Sequence, residues 1–355
     1  MERTSSNSSP LEPPHRLPLI YLGAAEVAEL LPMGKCIALM ERALRDLALG
    51  AAVQPLRSVM RLDGRPGLLG VMPGQISVPA ADPAGAADSV AGLKVVSIFP
   101  GNRERGDESH FGVVLLFETE TGRPIACVDA AAVTTIRTAA VSALATRLLA
   151  RADAGDLALL GAGVQARSHL AALREVRELR RVRVWSRRPE SARRFAAEES
   201  ARHGLAVEAA PSAAAAVEGA DLVCTVTASR EPVLAGDWLS PGAHVNAVGS
   251  SVAAARELDS AAVARSRLFV DRRESTVNES GDYLFPLREG AIAPDHIQGE
   301  IGDLLLGRLA GRRSDSEITL FKSLGLAVED LAAANHVYRQ ALAQGRGIRL
   351  DPGAR

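Results

Sequence analysis

Two periodicities divide the chain. After a polar, proline-rich start, residues 24–31 and 33–49 carry apolar positions at helical spacing, with Leu39, Met40, Ala43, Leu44 and Leu47 on one face. From residue 56 the spacing shortens: 56–62 alternate, 67–73 form an apolar run, and 93–99, 112–118 and 124–129 follow. A turn at Thr119-Glu120-Thr121-Gly122 joins the last two, and the Ala/Pro/Gly-rich residues 79–91 and charged residues 100–109 read as loops. Strands linked by short turns predict an antiparallel or mixed sheet, hence a separate α+β domain. A helix over 130–149 then leads into a third rhythm: short apolar runs at 157–160, 182–185, 222–227, 245–249 and 268–271, with helical stretches between. Runs without alternation are what parallel strands buried on both faces look like. A last helix is predicted over 324–342, with Ala327, Leu331 and Ala334 on one face.

The first run of that parallel region breaks into Gly161-Ala162-Gly163-Val164-Gln165-Ala166, and 168–173 continue as a helix. Strand, glycine turn and helix in this order form a dinucleotide cradle. The first glycine makes the tight turn, the second admits a pyrophosphate, and the helix N-terminus offers unpaired N–H groups to the phosphates. Thr225, Val226 and Thr227, with Val248 and Gly249, end two later strands and are placed to line the same ligand. The next strand ends in Ser186-Arg187-Arg188. A site for NAD(H) places Asp or Glu there to hold the ribose 2′-hydroxyl; a hydroxyl and two guanidinium groups suit a 2′-phosphate instead. NADP(H) is therefore expected to be preferred, with NAD(H) as second choice.

Composition narrows the classes. The chain has 355 residues, enough for two domains, and a net charge of −1, so no bulk attraction to nucleic acid or anionic membrane is expected. Aromatics make up only 3%, which disfavours base-stacking platforms. The longest apolar stretch, 125–149, is interrupted by Asp129, Arg137 and Arg147, so no membrane span is expected, and the polar start lacks a signal-peptide core. Cys36, Cys127 and Cys224 stand far apart in apolar surroundings, which reads as reduced thiols of a cytoplasmic protein. The histidines lack metal-ligand spacing, so no metal is expected.

Three cations lie inside stretches that otherwise read as buried: Arg57, Lys94 and Arg137. Each needs an anion. Asp129 or Glu118 could supply it from within the chain, or a substrate carboxylate could. Convergence of all three would make a carboxylate clamp.

At this point the chain resembles the ornithine cyclodeaminase/mu-crystallin family. The likeness is carried by Gln54-Pro55-Leu56-Arg57, Leu69-Gly70-Val71-Met72-Pro73, Leu93-Lys94-Val95-Val96, Thr135-Ile136-Arg137-Thr138-Ala139-Ala140 and the Gly161–Ala166 stretch. Residues 241–249 and Phe321-Lys322-Ser323-Leu324-Gly325 add to it, so that it runs in unbroken order over 19–345. The resemblance implies an α/β protein: a Rossmann NADP-binding domain over 133–317 and an α+β substrate and dimerisation domain over 19–132 that 318–345 complete, after a flexible tail over 1–18. It implies a homodimer built on the α+β sheet. It also implies that Arg57, Lys94 and Arg137, with Met72 beside them, bind the substrate, and it offers His110 as a proton donor. Cyclodeaminases of the family carry an acid/base Asp where this chain has Ser229, and usually a Glu where it has Gly70. Both departures resemble the mu-crystallin-like branch and imply an NADPH-dependent ketimine (imine) reductase acting on imino acids. Residues 280–316 are expected to shape the substrate pocket. The alternatives are an ornithine cyclodeaminase or alanine dehydrogenase-type enzyme, and, from another class, a non-catalytic crystallin-like protein binding a small hormone-like ligand.

Overall fold

The computed structural model describes residues 18–64, 67–77, 89–99, 101–102, 106 and 108–350. The expected tail up to residue 17, most of the loop over 79–91 and part of the charged loop over 100–109 lie outside the described residues.

The first region runs β1 (Leu19–Leu22), α1 (Ala24–Leu30), α2 (Met33–Ala48), β2 (Ala52–Val53), β3 (Ser58–Arg61), β4 (Leu68–Ile76), β5 (Val90–Ile98), β6 (His110–Phe117) and β7 (Pro124–Asp129). Its core sheet pairs β4, β5, β6 and β7 antiparallel in sequence order, with β1 parallel to β7. Register sorts its faces. Met72, Lys94, Val114 and Val128 form one cross-strand row, and all four are buried. The adjacent row of Val71, Val95 and Val113 points to the other side and stays half-exposed, near the exposed Val59, Met60 and Phe111. The buried side lies against a late helix, introduced below, and a Cβ on Gly92 would fall 2.7 Å from its Leu331 and 2.4 Å from the Leu115 carbonyl oxygen of the sheet itself.

Asp129 ends β7 and starts α3 (Ala130–Leu149), its carboxylate accepting from the Ala132 amide at 2.7 Å. The second region continues β8 (Asp156–Leu160), α4 (Val164–Arg174), β9 (Arg181–Trp185), α5 (Pro189–His203), β10 (Val207–Ala209), α6 (Ala213–Val217), β11 (Leu222–Thr225), β12 (His244–Ala247), α7 (Ser260–Ala264), β13 (Ser266–Val270), α8 (Arg273–Glu279), α9 (Gly281–Arg288), β14 (Ile297–Glu300), α10 (Ile301–Leu305) and β15 (Ile318–Lys322). Then come α11 (Ala327–Gln344), the helix that covers the first sheet, and β16 (Ile348–Leu350), which pairs with β1. The second sheet has the order β10-β9-β8-β11-β12-β15-β13-β14, and all its pairings are parallel. The order reverses between β8 and β11, and the crevice above such a switch point is where this kind of sheet binds ligands.

Two expectations change here. The boundary drawn at 318 falls inside the nucleotide sheet, because β15 inserts between β12 and β13; of 318–345, α11 is what packs on the first sheet. The sheet also does not end with 268–271: β14 and β15 extend it, and neither has the apolar run that marks its neighbours, since one mixes Gln, Gly and Glu and the other carries Thr and ends in Lys. Among the described residues no helix is long and apolar enough to cross a membrane.

Candidate active site

The glycine turn after β8 is built as a phosphate cradle. Gly161 has φ +123°, and a Cβ on it would meet the Val226 carbonyl oxygen at 2.7 Å. Gly163 caps α4 without a side-chain bond, and a Cβ there would meet nothing within 4 Å. The first-turn N–H groups of α4 are left for a ligand, and the open side of Gly163 lets it approach. Val164 is exposed at the mouth, and the buried Gln165 Oε1 has no hydrogen-bond partner. Ser186, Arg187 and Arg188 follow β9, and neither guanidinium is held in an ion pair among the described residues. Across the switch point, Thr225 ends β11 with its hydroxyl buried and unpartnered, while the Val248 and Gly249 amides donate to its carbonyl at 3.0 and 3.1 Å. These features fit a dinucleotide: open N–H groups at a helix start, no Cβ in the way and unsatisfied polar atoms along the rim. The Thr227 hydroxyl is already engaged, donating to Glu257 at 2.6 Å.

The three cations, Lys94 and Arg137 buried and Arg57 half-buried, meet at the same rim. Sheet register aligns Thr225, Ala247 and Lys322 in one row. Past these strand ends Gly249 packs on Thr227, where a Cβ on it would fall 2.2 Å from the Thr227 carbonyl oxygen, and β15 runs on into a turn at Leu324 and Gly325. Arg57 Nη2 donates to the Leu324 and Gly325 carbonyls at 3.0 and 3.1 Å. Arg137 reaches the same turn from α3: a Cβ on Gly325, which has φ +76°, would lie 2.4 Å from Arg137 Nη1. Asp271, after β13, fixes the turn by accepting from the Leu324 and Gly325 amides at 2.5 and 2.8 Å. Lys94 lies on β5 with its ammonium donating to Thr134 Oγ1 at 2.5 Å.

Each cation also has a carboxylate, though neither of those expected. Arg57 pairs with Glu279 at 2.9 Å, Lys94 with Asp330 at 3.3 Å, and Arg137 with Asp330 at 2.9 Å and Glu329 at 2.8 Å. Asp129 instead caps α3, and Glu118 closes its hairpin by accepting from the Glu120 and Thr121 amides. The pairing is incomplete: among the described residues no acceptor engages Arg57 Nη1 or Arg137 Nη2, and Glu329 Oε1 is buried without a partner. Burial pushes the Lys94 ammonium down to about 8, against the pull of Asp330. Burial likewise raises the Glu329 carboxyl to about 8, against the attraction of Arg137.

A narrow cleft opens beside this cluster, lined by Gln54, Pro55, Arg57, Met72, Ser275, Gly325 and Ala327. Arg57 and Met72 are thus at its wall, and Lys94 and Arg137 stand behind it. Residues 280–316 contribute none of the lining: His296 is bound to the Val263 carbonyl at 2.9 Å, and Arg288 lies over the Phe285 ring. His110 opens β6, exposed, with Nδ1 2.9 Å from Ser109 Oγ. It shares a sheet face with Lys94 but pairs with Ile98, four residues along, about 13 Å away. The structure does not bring it to the clamp. Ser229 closes a turn by donating to the Glu231 carbonyl at 2.7 Å. His169, pushed down to about 4 by burial, bridges the Gln165 carbonyl and Ser142 Oγ as a packing residue.

Glu279, Glu329 and Glu257 are the site residues that sequence reading missed; Asp330 it reached only as a stand-in for the cyclodeaminase Asp, not as the partner of Lys94 and Arg137. Glu329 and Asp330 carried the same signal that revealed Arg137, charge inside a helix with a buried apolar face.

Comparison with known proteins places these features in context. A family model described as the ornithine cyclodeaminase/mu-crystallin family matches residues 20–345. The chain is 39% identical over 322 residues to the ketimine reductase mu-crystallin of Mus musculus, covering 90% of this chain and 96% of that one. It is 34% identical over 334 residues to a Delta(1)-pyrroline-2-carboxylate reductase of Bacillus cereus, covering 94% of this chain and 100% of that one. The solved Delta(1)-pyrroline-2-carboxylate reductase of Thermococcus litoralis, in complex with NADH and L-proline, superposes with a TM-score of 0.89 at 37% identity, over 94% of this chain and 100% of that one.

Proposed function

The chain belongs to the ornithine cyclodeaminase/mu-crystallin family, and from that premise we propose that it is an NAD(P)H-dependent oxidoreductase that reduces cyclic imine carboxylates to imino acids. One observation carries the reading: Arg57 lines a cleft at the rim of the nucleotide sheet with Lys94 and Arg137 buried behind it, and among the described residues one nitrogen of each guanidinium engages no acceptor. A carboxylate meeting them gains charge-assisted bonds of about 1.5–3 kcal/mol each. That is enough to orient a small acid next to the strand ends where the nicotinamide half of a dinucleotide lies.

The bound cofactor supplies the hydride. The protein's own part is placement. Arg57 and Arg137 hold the carboxylate, Lys94 adds the third positive charge, and Met72 supplies an apolar wall for the ring. A cyclic imine protonated at nitrogen is already electrophilic at carbon, so no strong base is called for. Ser229, tied into its turn, offers none. The Thermococcus litoralis relative, solved with NADH and the cyclic imino acid L-proline, supports this pairing of cofactor and substrate class.

Within this reading the cofactor is NADPH rather than NADH, because Ser186, Arg187 and Arg188 occupy the end of β9 and no carboxylate stands there to bind a 2′-hydroxyl. The half-exposed valine face of the first sheet is where a second copy docks, since such a face is a liability in a monomer. A screen of cyclic ketimine carboxylates and keto acids with NADPH and NADH tests the proposal: turnover of five- or six-membered imines is expected, and binding without turnover of any of them would favour the ligand-storage alternative. Sedimentation at micromolar concentration is expected to show a dimer.

A further inference from the structure

Glu257 is fully buried on the loop before α7, and both its oxygens face the ends of neighbouring strands. Oε1 accepts from the Thr227 amide and hydroxyl, each at 2.6 Å, and Oε2 accepts from the Gly249 amide at 2.7 Å. Thr227 lies just past β11 and Gly249 just past β12, so one carboxylate joins two adjacent strand ends. The fit is close: a Cβ on Gly249 would fall 2.2 Å from the Thr227 carbonyl oxygen and 2.6 Å from the Glu257 carboxylate.

Glu257 is itself held from behind. Its carbonyl accepts from the Val233 and Leu234 amides at 2.7 and 3.0 Å. Its amide donates at 2.8 Å to Asp282 Oδ1, which also takes the Leu258 amide at 3.0 Å. Asp282 Oδ2 accepts from Lys322 Nζ at 2.9 Å, and that ion pair is buried on both sides. Lys322 ends β15, the strand that leads into the Leu324–Gly325 turn gripped by Arg57. A buried carboxylate costs several kcal/mol of desolvation, and an apolar side chain would fill the space at less cost to stability. What only the carboxylate provides is a fixed separation between two strand ends. With phosphates at Gly161–Gly163 and the adenosine half at Ser186–Arg188, the second mononucleotide half of the site lies over those ends.

We propose that Glu257 is the positioning residue for the nicotinamide half of the cofactor, holding Thr227 and Gly249 at the spacing over which the ring lies. This rests on the dinucleotide reading above and not on the identity of the imine. The test compares two probes: the dinucleotide that the wild type binds more tightly, NADPH or NADH, and its adenosine half, 2′,5′-ADP or ADP. Glu257→Gln keeps one acceptor oxygen and turns an NH₂ group either on the Gly249 amide or on the Thr227 amide and hydroxyl, so that one of the two strand ends is no longer held. It is expected to raise the dinucleotide Kd tenfold or more and to leave the half-cofactor Kd within twofold. Thr227→Val removes the hydroxyl bond to Glu257 together with the Ser229 amide's acceptor, keeps the amide bond to Glu257, and is expected to shift the same ratio about threefold; it decides the matter if Glu257→Gln does not fold. Equal weakening of both probes, or no change in their ratio in the variant that folds, would overturn the proposal. Failure of the wild type to bind either dinucleotide would overturn the cofactor reading instead.

Discussion

Two clusters of buried charge meet the rim of the nucleotide sheet, and they are finished differently. In the cluster of Lys322, Asp282 and Glu257, each carboxylate oxygen ends on a backbone amide, a hydroxyl or the ammonium. In the cluster of Arg57, Lys94 and Arg137 with Glu279, Glu329 and Asp330, Glu329 Oε1 has no partner, Glu279 Oε2 meets Arg57 only as an ion pair, and a cleft opens at the edge. Both carry the desolvation cost of burial. A closed network can only hold shape, whereas an open one can exchange a partner. The first is therefore assigned to geometry and the second to binding.

The sharpest way to break this contrast is to remove one member of each. Lys322→Met leaves Asp282 buried without its cation, and loss of one partner from a buried pair costs about 3–5 kcal/mol. The expected outcome is a large drop in unfolding free energy, measured by urea denaturation. Arg137→Met also takes a cation from the buried Asp330 and Glu329, but the effect that sets it apart is on binding. The imine KM is expected to rise roughly 10- to 100-fold with a fall in kcat, because a loosened substrate no longer presents its imine carbon, while dinucleotide Kd stays within about twofold. If Arg137→Met weakened dinucleotide and imine equally, the division between the two clusters would fail.

Much of this was readable in advance, and the limits have physical reasons. The helix over 130–149 and the glycine turn at Gly161–Gly163 depend on local signals, and both appear where the pattern puts them. Arg57, Lys94 and Arg137 stood out as charges within apolar runs. Their partners could not be read from spacing, because Glu329 and Asp330 lie more than 190 residues beyond Arg137 and meet it only through the packing of α11 on α3. Glu257 sits in the polar run Arg256-Glu257-Leu258-Asp259, where a buried carboxylate looks like a solvated loop. β15 was missed because a short strand with Thr and Lys lacks the apolar run that marked its neighbours.

Two smaller effects sharpen the comparison further. Ser186→Asp combined with Arg187→Ala is expected to move the NADPH/NADH preference by about tenfold, or 1.4 kcal/mol, toward NADH, read from fluorescence titrations; imine KM should not follow. The open cluster should also titrate. As pH rises through about 8, Lys94 loses its positive charge and Glu329 gains a negative one. Both changes weaken attraction for a carboxylate, so imine KM is expected to climb above pH 8 and to be flat below it. Lys94→Arg, which keeps its charge, should reduce the climb, and an unaltered climb would assign it to the substrate's own imine nitrogen.

The most direct measurement offers the purified protein two substrates side by side. With a cyclic ketimine carboxylate and NADPH, oxidation of the cofactor should be matched mole for mole by formation of the cyclic imino acid, and ornithine with NAD⁺ should yield neither proline nor ammonia. Robust proline and ammonia from ornithine, with no reduction of the ketimine, would contradict the account and return the chain to cyclodeaminase chemistry despite Ser229 and Gly70.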